Sequence, residues 1–181
     1  MEMNGRKFGR KDLMVAITAT VVVILLILTF VVPDRTGQIR TDIVVGDYII
    51  LESDRFLVKY TVEEVKEDIL VVEVYSYDLR THAPTAETSD MTKEMFLELV
   101  YYPDEKLKMS EYEGAIFQET PLGSKLCQIY GMYMNTYHVD EYNVIYYSAI
   151  GGNFWFLKAT SLIYGADENN MPVPNVLRGS T

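Results

Sequence analysis

Residues 56–77 read FLVKYTVEEVKEDILVVEVYSY, and this stretch decides the fold of the chain. From Phe56 to Val62, apolar and polar side chains alternate, as they do in a strand with one buried face. The charged turn Lys66-Glu67-Asp68 leads into residues 69–77, which are apolar on both faces and predict a covered, central strand. Two strands joined by such a short turn predict an antiparallel pair.

Further strand-like segments lie on both sides of this hairpin. Tyr48-Ile49-Ile50-Leu51 precedes it, and a second group follows after residue 114. Turn residues separate the segments of that group, and Gly151-Gly152 is typical of a tight hairpin. The predicted strands of the second group are 115–119, 126–130, a stretch near 132–139, 143–150 and 154–163.

The region between the two groups of strands has a different pattern. Residues 79–90 predict a loop, and residues 106–114 predict a charged, irregular segment. Asp90 or Thr92 is suited to cap a short helix that continues to about Val100. We therefore predict an α+β fold, with a mainly antiparallel sheet of about seven strands and one short helix.

An uninterrupted apolar run, Leu13–Val32, precedes the strands and contains no charged side chain. Twenty helical residues span roughly 30 Å, the thickness of the hydrocarbon core of a bilayer. Four basic residues precede the run and no basic excess follows it, so the positive-inside rule places the N-terminus in the cytoplasm. The alternative is a cleaved signal peptide, but the run is long for one and no small-x-small site follows.

These patterns predict a single-pass protein of the cell membrane with an extracytoplasmic domain. We expect a basic cytoplasmic segment at 1–12, a transmembrane helix at 13–32, a linker at 33–42, a β domain at 43–165 and a flexible tail at 166–181. The membrane is thus the first predicted partner, through Leu13–Val32.

Charge and cysteine content exclude several classes of function. The formal net charge is −10, and the first twelve residues carry four basic and two acidic groups, so the part after the anchor is at −12. Such a domain is repelled by phosphate backbones and by anionic lipid surfaces, which argues against nucleic-acid binding. The single cysteine, Cys127, excludes an internal disulfide.

A set of turn glycines and strand tyrosines occurs in order along residues 44–164. This part of the chain resembles a group of archaeal exported or membrane-anchored β domains of unknown function. The resemblance implies an antiparallel sheet curved like the half-barrels of lipoprotein carriers, and it carries over no catalytic residue. The signatures are Val45-Gly46-Asp47-Tyr48, Tyr60-Thr61-Val62, Val72-Glu73-Val74-Tyr75, Thr120-x-x-Gly123-Ser124-Lys125, Tyr130 and Tyr146-Tyr147-Ser148-Ala149-Ile150-Gly151-Gly152.

The chain contains few candidates for a catalytic or metal-binding motif. Residues 43–50 also resemble the Gly-Asp strand of type I signal peptidases, a family that needs a serine shortly upstream. Residues 36–42 contain no serine, so a hydrolase of this kind is a remote alternative and we predict no enzymatic activity. The one cluster of residues of metal-ligand type is His138, Asp140 and Glu141. Only His138 and Asp140 would lie on the same side of a strand, and two ligands do not make a metal site. We predict no metal and no cofactor.

The chain contains 14 tyrosines, and seven of them lie between Tyr130 and Tyr164. Sheet packing is their ordinary role, and binding of a partner or ligand is the sharper interpretation. The first hypothesis is a non-enzymatic interaction module that contacts another protein of the cell envelope. The alternative is a carrier or sensor of a hydrophobic, lipid-like ligand, held between a curved sheet and the helix. The candidate binding residues are Tyr130, Tyr146, Tyr147, Phe154 and Trp155.

Overall fold

The computed structural model describes residues 36–166. The predicted cytoplasmic segment, the predicted anchor Leu13–Val32, the first residues of the predicted linker and the tail beyond Ala166 lie outside the described residues. Within residues 36–166, no helix is both long enough and apolar enough to span a bilayer.

In the part of the chain that the structure describes, nine strands form one antiparallel sheet, which confirms the predicted sheet class and adds two strands to the predicted number. The strand order is β4-β3-β2-β1-β9-β8-β7-β6-β5, so two meanders, β1–β4 and β5–β9, join where β1 pairs with β9. The strands are β1 Tyr48–Glu52, β2 Phe56–Lys66, β3 Ile69–Asp78, β4 Pro84–Thr92, β5 Glu111–Thr120, β6 Gly123–Met132, β7 Asn135–Val139, β8 Ile145–Ile150 and β9 Asn153–Thr160.

Two helices connect the meanders. Helix α1 is Lys93–Leu97 and helix α2 is Asp104–Met109. The side chain of Thr92 caps α1 by accepting a hydrogen bond from the Met95 amide at 3.1 Å. Of the two predicted caps, Thr92 is therefore the one used, Asp90 lies in β4, and the helix ends at Leu97 rather than near Val100. Phe96 of α1 is fully buried in the main core cluster with Leu70 and Val72 of β3.

The predictions for the connecting segments were wrong. The predicted loop 79–90 contains most of β4, which pairs with β3 along its length. Nearly every side chain of β4 is exposed, so no alternation of apolar residues marks it in the sequence. The predicted irregular segment 106–114 contains most of α2 and the start of β5. Helix α2 is too short for an apolar stripe, although acidic residues in its first turn and lysines in its last suit the helix dipole.

Strand β3 was predicted to be covered on both faces, and this was also wrong. Leu70 and Val72 are fully buried on one face, whereas Ile69 on the other is 47% exposed. The apolar residues of that second face therefore lie at a partly solvated surface beside the edge strand β4.

Residues from Gly37 onward belong to the domain, although the sequence predicted a linker through Asp42. The Gly37 amide donates to the Tyr164 carbonyl at 3.0 Å, and the Arg40 amide donates to the Leu162 carbonyl at 2.7 Å. Leu122, in the turn between β5 and β6, packs against the main core cluster, and its methyl groups lie next to Gly165 and Gly37. The tip of the β5–β6 hairpin therefore lies close to the chain that leaves β9.

Candidate ligand groove

Two adjoining cavities of about 210 and 270 Å³ lie between α1 and one face of the sheet. We call them together the groove, and we call the face that lines it the inner face. Five residues line both cavities, namely Glu98, Leu99, Tyr137, Ile145 and Ile150. The first cavity adds Leu51, Tyr60, Ser148 and Trp155, and the second adds Met91, Met95, Tyr101, Tyr102 and Lys106.

Strand register brings the floor of the groove together. Tyr137 of β7 is opposite Ser148 of β8, and Ser148 is opposite Trp155 of β9. Residues that face one another in antiparallel neighbours project to the same side of the sheet, so these three side chains form one row.

The wall of the groove is α1 and the residues that follow it. The Ile145 amide donates to the Val100 carbonyl at 2.8 Å, and Tyr101 forms a bridge with Val144. These contacts tie the end of the α1 segment to the start of β8. Leu99 and Glu98 are thereby held over the strand residues that line both cavities.

The groove lining is mostly apolar and aromatic, with a few polar groups. Burial raises the pKa of Tyr60, with the Glu87 carboxylate adding to the effect, and burial also raises the pKa of Tyr137. Both phenols therefore remain neutral hydrogen-bonding groups at neutral pH. Lys106 and Glu98 form an ion pair at 2.7 Å, and each side chain is about one-third exposed.

The structure separates the five predicted binding residues. Trp155 lines the groove. Tyr130 of β6 lies opposite the groove residue Tyr137 of β7. It packs beside the groove, with its ring centroid 6.4 Å from that of Tyr102. Tyr147 and Phe154 alternate with Ser148 and Trp155 along their strands and so project from the opposite face.

Tyr146 is a core residue that is 1% exposed. Its hydroxyl donates to the buried carboxylate of Asp140 at 3.2 Å. On the face of the sheet opposite the groove, the Tyr147 ring packs against the Phe156 ring, with centroids 5.0 Å apart, and against the His138 ring, with centroids 4.3 Å apart.

The sequence interpretation missed most of the groove. The alternation in β2 revealed that Tyr60 lies on one face of a strand, but its neighbours in the groove come from distant segments. Leu51, Tyr137 and Ile145 are apolar or aromatic strand residues like many others in this chain. Only the pairing of β1 with β9, and the position of α1, show which of them share a cavity.

The other candidate residues have structural contacts. Asp47 of the Gly-Asp strand is buried, and it accepts hydrogen bonds from the Val44 amide at 2.7 Å, the Ser161 hydroxyl at 2.8 Å and the Arg40 guanidinium. His138 Nδ1 lies 3.1 Å from Gln118 Oε1, and burial lowers the pKa of the imidazole. In residues 36–166, no three His, Cys, Asp or Glu side chains are grouped to hold a metal ion.

Comparison of the chain with protein-family models, with curated proteins and with solved structures finds no match. The resemblance to archaeal membrane-anchored β domains therefore stays a prediction, and function is argued from the groove itself.

Proposed function

We propose that this domain binds a small, mostly apolar molecule in the groove, as a carrier or sensor. The observation that carries the proposal is the pair of adjoining cavities with five lining residues in common. Together, at about 210 and 270 Å³, they fall within the volume range of small-molecule sites, roughly 300–1,000 Å³. Their mixture of apolar walls and a few polar groups is typical of such sites.

A curved sheet is part of this proposal. The position of Leu122 next to Gly165, after β9, supports a sheet whose β5–β6 hairpin bends back toward β9, as in a half-barrel. Curvature of this kind provides a concave face that a short helix covers only in part. We further propose that the anchor predicted at Leu13–Val32 holds this binding domain outside the cell membrane, as the charge pattern predicts.

The charged and aromatic lining favours a ligand with an apolar body and one neutral or cationic end. A partly exposed ion pair such as Glu98–Lys106 contributes only about 0–1 kcal/mol, so a ligand amine can replace Lys106 as the partner of Glu98 at small cost. The rings of Trp155, Tyr60 and Tyr137 offer faces that attract cations. The acidic charge of the chain disfavours an anionic end.

The proposal is tested first by native mass spectrometry of residues 34–181, compared with the denatured mass. Extra mass that is lost on denaturation, and that organic extraction identifies as a small molecule, supports the carrier hypothesis. A bare polypeptide contradicts a tightly bound carrier ligand and leaves the titration below as the test of a weaker sensor site.

A titration with dodecylamine and dodecanoate as probes tests the ligand chemistry. Trp155 is the sole tryptophan, so its emission reports on the groove directly. We expect a saturable shift with the amine and a weaker response to the carboxylate. Ser148→Phe, which fills the groove, should weaken amine binding by about tenfold or more, a cost of about 1.4 kcal/mol.

Phe154→Ser is the matched control, because Phe154 lies on the opposite face, and binding should be unchanged. If neither probe shifts the emission, or if both variants respond as the original chain does, the groove is not the binding site.

The interaction-module hypothesis is supported by different residues, namely the exposed side chains of Phe117 and Leu126 at the β5 edge. Both roles are compatible in one chain, and neither requires catalysis.

Burial raises the pKa of the Cys127 thiol to about 11, so it stays protonated at neutral pH and is a poor nucleophile.

A further inference from the structure

Strand β5 forms one edge of the sheet, and among residues 36–166 it pairs with β6 alone. The hairpin is closed by the two-residue turn Pro121-Leu122, between the paired residues Thr120 and Gly123. In such a hairpin the closing pair exchanges both backbone hydrogen bonds, and every second residue along the strand does the same. Gln118 and Ile116 therefore bond to β6.

The residues that alternate with these hydrogen-bonded ones direct their backbone N–H and C=O groups away from β6. These residues are Ala115, Phe117 and Glu119. The side-chain amide of Gln118 donates to the Glu119 carbonyl at 3.3 Å, in agreement with an outward direction for that carbonyl. The edge thus offers three donors and three acceptors in a regular row, and the Glu119 carbonyl, which accepts from Gln118, keeps a second lone pair for a partner strand.

The side chains along this edge are unusually apolar for a solvent-exposed strand. Phe117 is 72% exposed, and its cross-strand neighbour Leu126 is 57% exposed. Natural edge strands are commonly protected by charges, prolines or bulges. Here a bulge at Glu113 interrupts the first part of β5, and the regular edge runs from Gly114 to Thr120.

We propose that β5 pairs antiparallel with β5 of a second copy of this chain, with the two-fold axis at Phe117. Phe117 then faces Phe117 of the second copy, and Ala115 faces Glu119. Every outward N–H and C=O of the three residues finds a partner, which makes six backbone hydrogen bonds. Phe117 and Leu126 of both copies form one apolar row across four strands.

Like-charge repulsion and the missing N–H of Pro121 favour this register over the two neighbouring registers. In the proposed register each Glu119 faces the small, neutral Ala115. Sliding one strand by two residues in one direction places Glu119 opposite Glu113 of the other copy, and like charges directly opposite are destabilising. Sliding it in the other direction places Phe117 opposite Glu119 and Ala115 opposite Pro121, which has no N–H to donate.

The proposal is tested by disulfide cross-linking of full-length chains in the membrane. Two copies are co-expressed, one with Ala115→Cys and one with Glu119→Cys, and oxidised with copper phenanthroline. Directly opposite residues of an antiparallel pair have Cα atoms about 5.5 Å apart, within disulfide range. We expect a cross-linked dimer from the mixture and none from either variant alone, because identical positions lie roughly 13 Å apart, four residues along the strand.

Two further variants test register and edge. Gln118→Cys replaces Glu119→Cys as a control that is one residue out of register, and it should give no link to Ala115→Cys. Phe117→Lys added to both cysteine chains should remove the cross-link, whereas Thr88→Lys, on the exposed edge strand β4, should leave it unchanged.

Trp155 emission confirms that each variant is folded. Absence of the link in folded mixed chains overturns the proposal. Equal linking in single and mixed samples overturns the register. A dimer formed through other parts of the chain would show no 115–119 link. Groove binding of dodecylamine depends on none of these residues, so either proposal can fail alone.

Discussion

Asp140 shows how one buried carboxylate organises the turn between β7 and β8. Its Oδ1 accepts hydrogen bonds from the amides of Tyr142 and Val144 at 2.9 and 3.0 Å, and its Oδ2 accepts from the Tyr146 hydroxyl. Burial raises the pKa of Asp140, and these hydrogen bonds offset only part of that effect. Asp140, one of the three clustered residues of metal-ligand type in the sequence, is a hydrogen-bond acceptor within its own turn.

The raised pKa predicts a pH dependence of stability. Because the folded-state pKa lies above the unfolded value of 3.8, the contribution of Asp140 is greatest below that pH. It declines as the pH rises through the folded pKa. Asp140→Asn keeps the Oδ1 acceptor and removes the ionisation, so its free energy of unfolding should lack this decline.

Asp140→Ala should cost about 2–3 kcal/mol, because two amides and a buried hydroxyl lose their acceptor. Urea denaturation at pH 4 and pH 7 measures both effects. Equal pH dependence in Asp140→Asn and the original chain would show that the carboxylate is not the titrating group.

At the scale of elements, the hairpin turns differ in how well their residues suit the backbone. Gly151 and Gly152 both have positive φ and suit the tight turn between β8 and β9. Tyr133 also has positive φ, at 59°, in the turn between β6 and β7, and its side chain is 98% exposed. A tyrosine at this position is strained and gains nothing from burial.

Tyr133→Gly should therefore stabilise the domain by about 0.5–1 kcal/mol, after the greater freedom of glycine in the unfolded chain is allowed for. The control is Met134→Gly, at the next position, where φ is negative and the same change should destabilise by a similar amount. Thermal unfolding of both variants measures the difference. Destabilisation by Tyr133→Gly would show that the tyrosine makes a compensating contact.

The sequence predicted elements well where apolar residues alternate and poorly where they do not. Strand β2 alternates apolar and polar residues at its start, β1 and β9 each contain several buried apolar side chains, and all three were predicted. Strand β4 has one partly buried side chain, Met91, in nine residues, so it resembles a polar loop. Its pairing depends on the backbone of β3, which leaves no pattern in the sequence of β4 itself.

For the whole molecule, the pairing of β1 with β9 is the contact that unites the two meanders. Asp47 reinforces this contact, because its buried carboxylate binds Arg40 and the Val44 amide before β1, and the Ser161 hydroxyl after β9. The Ser161 hydroxyl oxygen also accepts from the Tyr48 amide at 2.9 Å. The chain before β1 is thereby held to the chain after β9.

Asp47→Ala should lower the free energy of unfolding by about 2–4 kcal/mol, because it removes three hydrogen bonds and leaves Arg40 without this partner. Ser161→Ala removes a smaller part of the network and should cost about 1 kcal/mol. Urea denaturation monitored by Trp155 emission compares the two. A loss below about 1 kcal/mol in Asp47→Ala would show that the network does not stabilise the contact.

The sequence by itself determined most of the antiparallel strands, a short helix capped by Asp90 or Thr92, and the acidic charge, because each depends on neighbouring residues or on composition. Only the tertiary structure decided that Trp155 faces the groove, because that depends on the pairing of β1 with β9 and on the face that α1 covers. Both involve contacts between residues far apart in the chain, which local periodicity does not specify.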